Sequence, residues 1–253
     1  DTKVWLDASA QFGPLVKPII TPRFVPSCTS ELMTGLAKLT KEYDVPVQSH
    51  LSENHGEIDW VASLHPESSN YTDVYYEHHL MGTVPTVMAH CIHLSDVEMD
   101  RMAETQTMVS HCPYSNVNLS SGIAPIRKLI ERTIPIGLGS DISGGHIVSM
   151  AKVLTEAIGL SKMKWAEVDP NYAPLTLSEA FYMATKGGGQ FFGHVGSFEK
   201  GYELDALIID DTSLFDLNER SLEERLERWL YVGDDRHIIE RYVAGRVVPS
   251  PKG

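Results

Sequence analysis

Val84-Pro85-Thr86-Val87-Met88-Ala89-His90 is an apolar, β-branched run of strand length that stops on an imidazole. Four more short apolar runs end in the same way, on a polar or ionisable residue. Val16-Lys17-Pro18-Ile19-Ile20 leads to Thr21-Pro22-Arg23, Val45-Pro46-Val47 to His50, Thr107-Met108-Val109 to His111, and Ile134 to Leu138 to Asp141. Helix patterns lie between them. Leu32, Met33, Leu36, Leu39 and Tyr43 follow a Ser/Thr cap, Ser95-x-x-Glu98 has the form of a capping box, and Ile126, Leu129 and Ile130 recur at helical spacing. Strand and helix alternate, which predicts parallel βαβ units. In a (β/α)8 barrel the catalytic groups stand at the C-terminal ends of strands, where Arg23, His50, His90, His111 and Asp141 all fall. An open doubly wound sheet would use the same ends and is the other architecture this pattern permits. No G-x-G-x-x-G or G-x-x-x-x-G-K-[ST] loop accompanies the runs, and Gly187-Gly188-Gly189, behind Thr176-x-x-Glu179, reads as a helix end.

The 253 residues carry 21 Lys and Arg against 34 Asp and Glu, a formal charge of −13, which opposes a phosphate-binding groove and excludes nucleic acid as the expected partner. A composition that is 42% hydrophobic and 22% charged is that of an ordinary globular chain. No apolar run approaches the roughly 18 residues of a membrane span and no basic leader precedes one, so a cytoplasmic protein without a membrane partner is expected. Cys28, Cys91 and Cys112 form no C-x-x-C pair and suit reduced thiols. Beyond residue 195 the texture changes: Gly196 to Gly201 is turn-rich, Asp205 to Asp210 reads as a strand, Ser221-x-x-Glu224 opens a helix, and Tyr242 to Val248 reads as a final strand. Residues 1–195 are therefore expected as one domain and 196–253 as part of another, whose two strands need further partners.

Three strand ends carry chemistry. His50 with Glu53 one turn later could place a metal ligand beside a proton acceptor, although an H-x-x-E alone also describes a capped loop. His90 leaves a buried strand, as a ligand or as a hydrogen-bonded interior imidazole. Asp141 emerges among small residues, where a charge is costly unless it meets a cation; its other reading is a helix N-cap, since Ile147 onward looks helical. Taken together, two imidazoles and a carboxylate at successive strand ends suit an open Zn2+ or Fe2+ site. His111 is a further candidate ligand, ranked below His90 because Pro113 and Ser115-Asn116-x-Asn118 look like a polar turn at the rim. Cys91 and Cys112 fall on the opposite strand face from an inward-pointing His. His55, His65, His78, His79, His146, His194 and His237 default to the surface.

These residues carry a resemblance. Gln48-Ser49-His50-x-x-Glu53, Ala89-His90, Ser110-His111-Cys112-Pro113-x-Ser115-Asn116 and Leu138-Gly139-Ser140-Asp141 resemble the strand-five to strand-eight motifs of the amidohydrolase superfamily. Gly196-Ser197-Phe198-Glu199-x-Gly201 with Asp205-Ala206 resembles its return into a small β-sandwich. Thr21-Pro22-Arg23-Phe24, Gly144-Gly145 and Tyr231 to Arg236 are similar to the guanine deaminases within it. The resemblance implies a metal-dependent (β/α)8 barrel, a homodimer, and hydrolysis of guanine to xanthine and ammonia. Another aminated heterocycle, such as an adenine nucleoside or a triazine, is the alternative substrate. By the same resemblance His50, His90 and Asp141 would bind Zn2+, or Fe2+, with Asp141 also orienting the nucleophilic water. Glu53 would carry its proton, Arg23 would donate to the purine O6 and Phe24 would pack on the ring. One departure stands out, since the family's H-x-H pair on its first strand occurs nowhere in this sequence. The chain is on that ground expected to hold barrel strands four to eight only, to open on the tail of a helix at Asp1 to Gln11, and to be a non-catalytic fragment by itself.

Overall fold

The computed structural model describes residues 1–214 and 216–249. The chain forms two compact units: Asp1–His111 with Ser120–Ile136, and Cys112–Leu119 with the chain from Gly137 onward.

In the first unit the order is α1 (Thr2–Ser9), α2 (Ser30–Tyr43), β1 (Val47–Leu51), α3 (His55–Leu64), α4 (Tyr71–Glu77), β2 (Thr86–His90), α5 (Asp96–Glu104) and β3 (Met108–His111). After α6 (Pro113–Asn118), which belongs to the second unit, come α7 (Ile126–Glu131) and β4 (Ile136–Leu138), of which only Ile136 falls in the first unit. The four strands form one sheet in chain order, and β1, β2 and β3 pair in parallel. This is the layout expected when each strand is returned to the sheet edge by a crossover helix. The first run does not become a strand. Only Ile20 joins the ladder, donating to the Pro46 carbonyl and accepting from Gln48, both at 2.9 Å. Pro18 has no N–H to contribute there.

Alternation along the strands sets the two faces of the sheet. Val47, Ser49 and Leu51 of β1 are buried, and Met88 of β2 is level with Ser49. The unit's core also takes Met33, Leu36 and Ala37 of α2, Tyr71, Val74 and Tyr75 of α4, Met99 and Met102 of α5, and Ile126 and Leu129 of α7. Gln48 and His50 project from the other face.

The second unit contains α6, α8 (Met150–Glu167), α9 (Leu177–Tyr182), β5 (Ala206–Ile209), α10 (Leu222–Val232), β6 (Ile238–Val243) and β7 (Arg246–Val247). Helix α8 begins at Met150 behind Ser149, three residues later than its sequence pattern, so Asp141 caps no helix. The expected turn at Ser115 to Asn118 is helical, with Pro113 preset at its first position. The expected final strand is a hairpin instead: Val243 pairs with Arg246, and Ala244 and Gly245, at φ 48° and 74°, make the tight turn. With β5 it gives an antiparallel three-stranded sheet, order β5-β6-β7. Among the described residues no helix is long and apolar enough to cross a membrane.

Candidate active site

In the first unit the chain ends of β1 and β2 bring His50, Glu53 and His90 together. Strand register sets His50 beside Ala89, so pleating alone would send His90 to the opposite face. The backbone of His90 turns to φ 71° and that of Cys91 to φ 52°, a left-handed pair at a strand end. The His50 and His90 rings consequently stack, with centroids 5.4 Å apart and planes at 19°. Non-glycine residues in this region carry a conformational cost that surrounding structure must offset, and such residues cluster at functional sites. Ser52, at φ 49°, shares the strain at the end of β1.

His50 is aimed by its own neighbours. Its Nδ1 lies 2.5 Å from the Arg23 carbonyl oxygen, and because a carbonyl only accepts, Nδ1 carries the proton and Nε2 keeps the lone pair. Metal-ligating histidines have this tautomer and this backing bond. Behind it, Ser49 Oγ donates to the Pro22 carbonyl at 2.6 Å, and the Tyr75 hydroxyl donates to the His50 carbonyl at 3.0 Å. Burial pushes the Tyr75 phenol well up, so it remains a donor. Among the described residues no thiolate joins this set; Cys91 and Cys112 are buried and form no disulfide. The donors present thus fit a hard-to-borderline cation of the Zn2+ or Fe2+ type.

Glu53 begins the loop after β1. Its Oε2 stands 3.7 Å from His90 Nε2, and its Oε1 accepts from Ser121 Oγ at 3.2 Å. Arg23 is exposed; its guanidinium lies 5.9 Å from the Phe24 ring centre, and Phe24 meets Trp60 edge-on. His111 is 2% exposed, and burial with the neighbouring His90 pushes it down to about 3, so it is neutral at physiological pH. Its Nδ1 meets no hydrogen-bond partner among the described residues.

Asp141 lies in the second unit, at φ 43°, in a turn where Gly145 N–H donates to the Asp141 carbonyl at 2.6 Å. Asn118 Nδ2 fastens the same turn by donating to the Gly144 carbonyl at 2.8 Å. A Cβ on Gly144 would stand 2.5 Å from Ser115 Oγ and 2.7 Å from Asp141 Oδ2, so only glycine lets the turn close on that carboxylate. Among the described residues no three or more His, Cys, Asp or Glu side chains form a metal-holding group. The first unit brings two imidazoles and the Glu53 carboxylate together, and Asp141 belongs to the second unit.

Two residues outside the sequence reading belong to this face. His93 packs on His55 with ring centres 4.0 Å apart and donates from Nε2 to the Ser121 carbonyl at 2.8 Å. Ser121 sits in a Ser-Ser-Gly turn, a signal of tight geometry but not of contact with Glu53.

Residues 7–248 match the Amidohydrolase family. The chain is 44% identical to the guanine deaminase of Dictyostelium discoideum over 256 aligned residues, covering 98% of this chain and 56% of that protein. It is 42% identical to the guanine deaminase of Mus musculus, covering 93% and 54%. A crystal structure of guanine deaminase from C. acetobutylicum, with guanine bound in its active site, superposes with a TM-score of 0.94 at 52% identity, covering 98% of this chain and 59% of that one. The chain thus spans somewhat over half the length of the curated relatives it matches.

Proposed function

Because the chain belongs to the amidohydrolase family, we propose that its strand-end residues serve the hydrolytic deamination of guanine to xanthine and ammonia. The observation that carries this reading is the stacked His50 and His90 pair with Glu53 against it, held by strained backbone and a preset tautomer. His50, His90 and Asp141 would hold a divalent cation, Zn2+ or Fe2+. When bound, such a cation supplies Lewis acidity, which makes water a competent nucleophile near neutral pH. Asp141 would orient that water. Glu53 accepts a proton as that water attacks C2 of guanine and delivers it to N3; it then moves the remaining hydroxyl proton to the amino nitrogen, so that the bond from C2 to that nitrogen breaks, ammonia leaves and C2 becomes the new carbonyl. Arg23 donates to O6, and Phe24 packs on the ring. A guanidinium only donates, which favours a 6-oxo purine over a 6-amino purine. The five runs would mark strands four to eight of a (β/α)8 barrel domain over residues 1–195, the first of them reduced to the Ile20 bridge, with 196–253 in a small β-sandwich.

The test is Glu53→Gln in the metal-loaded protein. Its kcat should fall about 10²–10⁴-fold, the usual contribution of a positioned acid/base, with metal content by elemental analysis unchanged. Activity within a few-fold of wild type would assign the proton transfer elsewhere. Arg23→Ala should lower kcat/KM for guanine about ten- to a hundredfold, matching a lost hydrogen bond of roughly 1–3 kcal/mol, and a wild type that prefers adenine would reject the substrate.

A further inference from the structure

Glu53 is anchored twice, by different parts of the chain. Its backbone N–H donates to Glu57 Oε2 at 2.9 Å; Glu57 is itself buried, its other oxygen taking the Tyr71 hydroxyl at 2.7 Å and its own N–H capped by Asn54 Oδ1 at 3.0 Å. These bonds fix the main chain and leave the side-chain torsions free. What reaches the carboxylate comes from 68 residues away, where Ser121 Oγ donates to Oε1 at 3.2 Å. Ser121 is 6% exposed and is aimed with care. Ser120 before it has φ 56° and Gly122 after it φ 128°, and its carbonyl accepts the 2.8 Å bond from His93 Nε2. A Cβ on Gly122 would come within 3.2 Å of Ile92 Cγ2 and 3.4 Å of His93 Cε1, so the turn lies tight against the imidazole that holds it.

From this geometry we infer that Ser121 is a positioning residue for Glu53: its hydroxyl holds Oε1 and thereby leaves Oε2, on the His90 side, as the oxygen that exchanges protons. The inference rests on the reading of Glu53 as proton carrier. A carboxylate that must accept from water and then donate to a ring nitrogen gains from having one oxygen tethered, because the torsional search is removed from each transfer and displacements of about 1 Å can cost roughly 10²-fold in rate. His93 acts one step further out, by orienting Ser121.

The experiment compares Ser121→Ala, Ser121→Thr, Glu53→Gln and the Ser121→Ala/Glu53→Gln double variant in the full, metal-loaded protein. Ser121→Ala should lower kcat about ten- to a hundredfold, with KM for guanine and metal content within about threefold of wild type. Ser121→Thr keeps the hydroxyl and should recover most of kcat. In the Glu53→Gln background Ser121→Ala should cost nothing further, since the group it positions has lost its function. A crystal structure of Ser121→Ala should show the Glu53 carboxylate in more than one rotamer, a readout independent of turnover. Wild-type kcat in Ser121→Ala beside a crippled Glu53→Gln would overturn this inference alone. So would a fully additive double variant, or a loss explained by metal content. An unaffected Glu53→Gln would overturn the proton-carrier reading and this inference with it.

Discussion

Gly145 closes the turn after Asp141 through its N–H, and a Cβ added to it would stand 2.1 Å from the Ser140 carbonyl oxygen. Backbone cannot yield as a flexible side chain can, so Gly145→Ala should destabilise by about 1–3 kcal/mol, the usual scale of overpacking. Gly159 offers the opposite case. It is exposed inside α8, with nothing within 4 Å of an added Cβ, and Gly159→Ala should stabilise by roughly 0.5–1 kcal/mol through the unfolded chain's lost freedom. Urea denaturation of both variants checks the pair, and equal effects would contradict the geometric account. Residue type and strand position drew attention to His50, Glu53 and His90, which the first unit brings together, because a charged or ligating group at the end of an apolar strand is costly without a purpose. Context was not legible. His65 and His237, assigned to the surface by their polar neighbours, are buried. The bond from Ser121 to Glu53 joins positions that no local pattern connects.

The helix caps show how one sequence signal takes different weights by element. Ser95-x-x-Glu98, Thr176-x-x-Glu179 and Ser221-x-x-Glu224 all form reciprocal capping boxes, as their spacing predicts. Glu98 does more, for it is buried and its Oε1 also accepts from the Thr72 hydroxyl, tying α5 to α4. Glu224 lies exposed at the start of α10, with bonds to Ser221. Glu98→Ala should therefore cost more stability than Glu224→Ala, about 2 kcal/mol or more for the buried Glu98, as read by thermal unfolding. Equal losses would show the bond to Thr72 to be idle. Helices α3 and α4 carry asparagine caps, Asn54 and Asn70, and were the elements least visible in advance, since their apolar positions are few and interleaved with charge. Strand signals failed where backbone chemistry overrode hydrophobicity: Pro18 left the first run without a donor at that position, and Ala244-Gly245 folded one apparent strand into two.

For the molecule as a whole, acid is where the first unit is most exposed to its own design. His111 is held neutral in the native state, with its proton affinity pushed down to about 3 from the ordinary 6.5 by burial and by His90. Between these values the unfolded chain binds a proton that the native chain refuses, so unfolding takes up protons and stability rises with pH across the window. As pH falls below 6.5 this one group should remove about 1.4 kcal/mol per pH unit. The depressed carboxylates lie in the second unit: Asp216, at about 2 beside Arg220, and Asp211, beside Arg225, lose their contribution only below the ordinary carboxylate range. A decline between pH 6.5 and 5 in the first unit therefore points to imidazole. Amide hydrogen exchange of β1 and β2, with metal chelated so that ligand protonation does not intrude, should report protection falling with that slope, and His111→Gln should flatten it. A wild-type slope unchanged by the substitution would mean that another group refuses the proton, and that the buried imidazole is accommodated in its charged form.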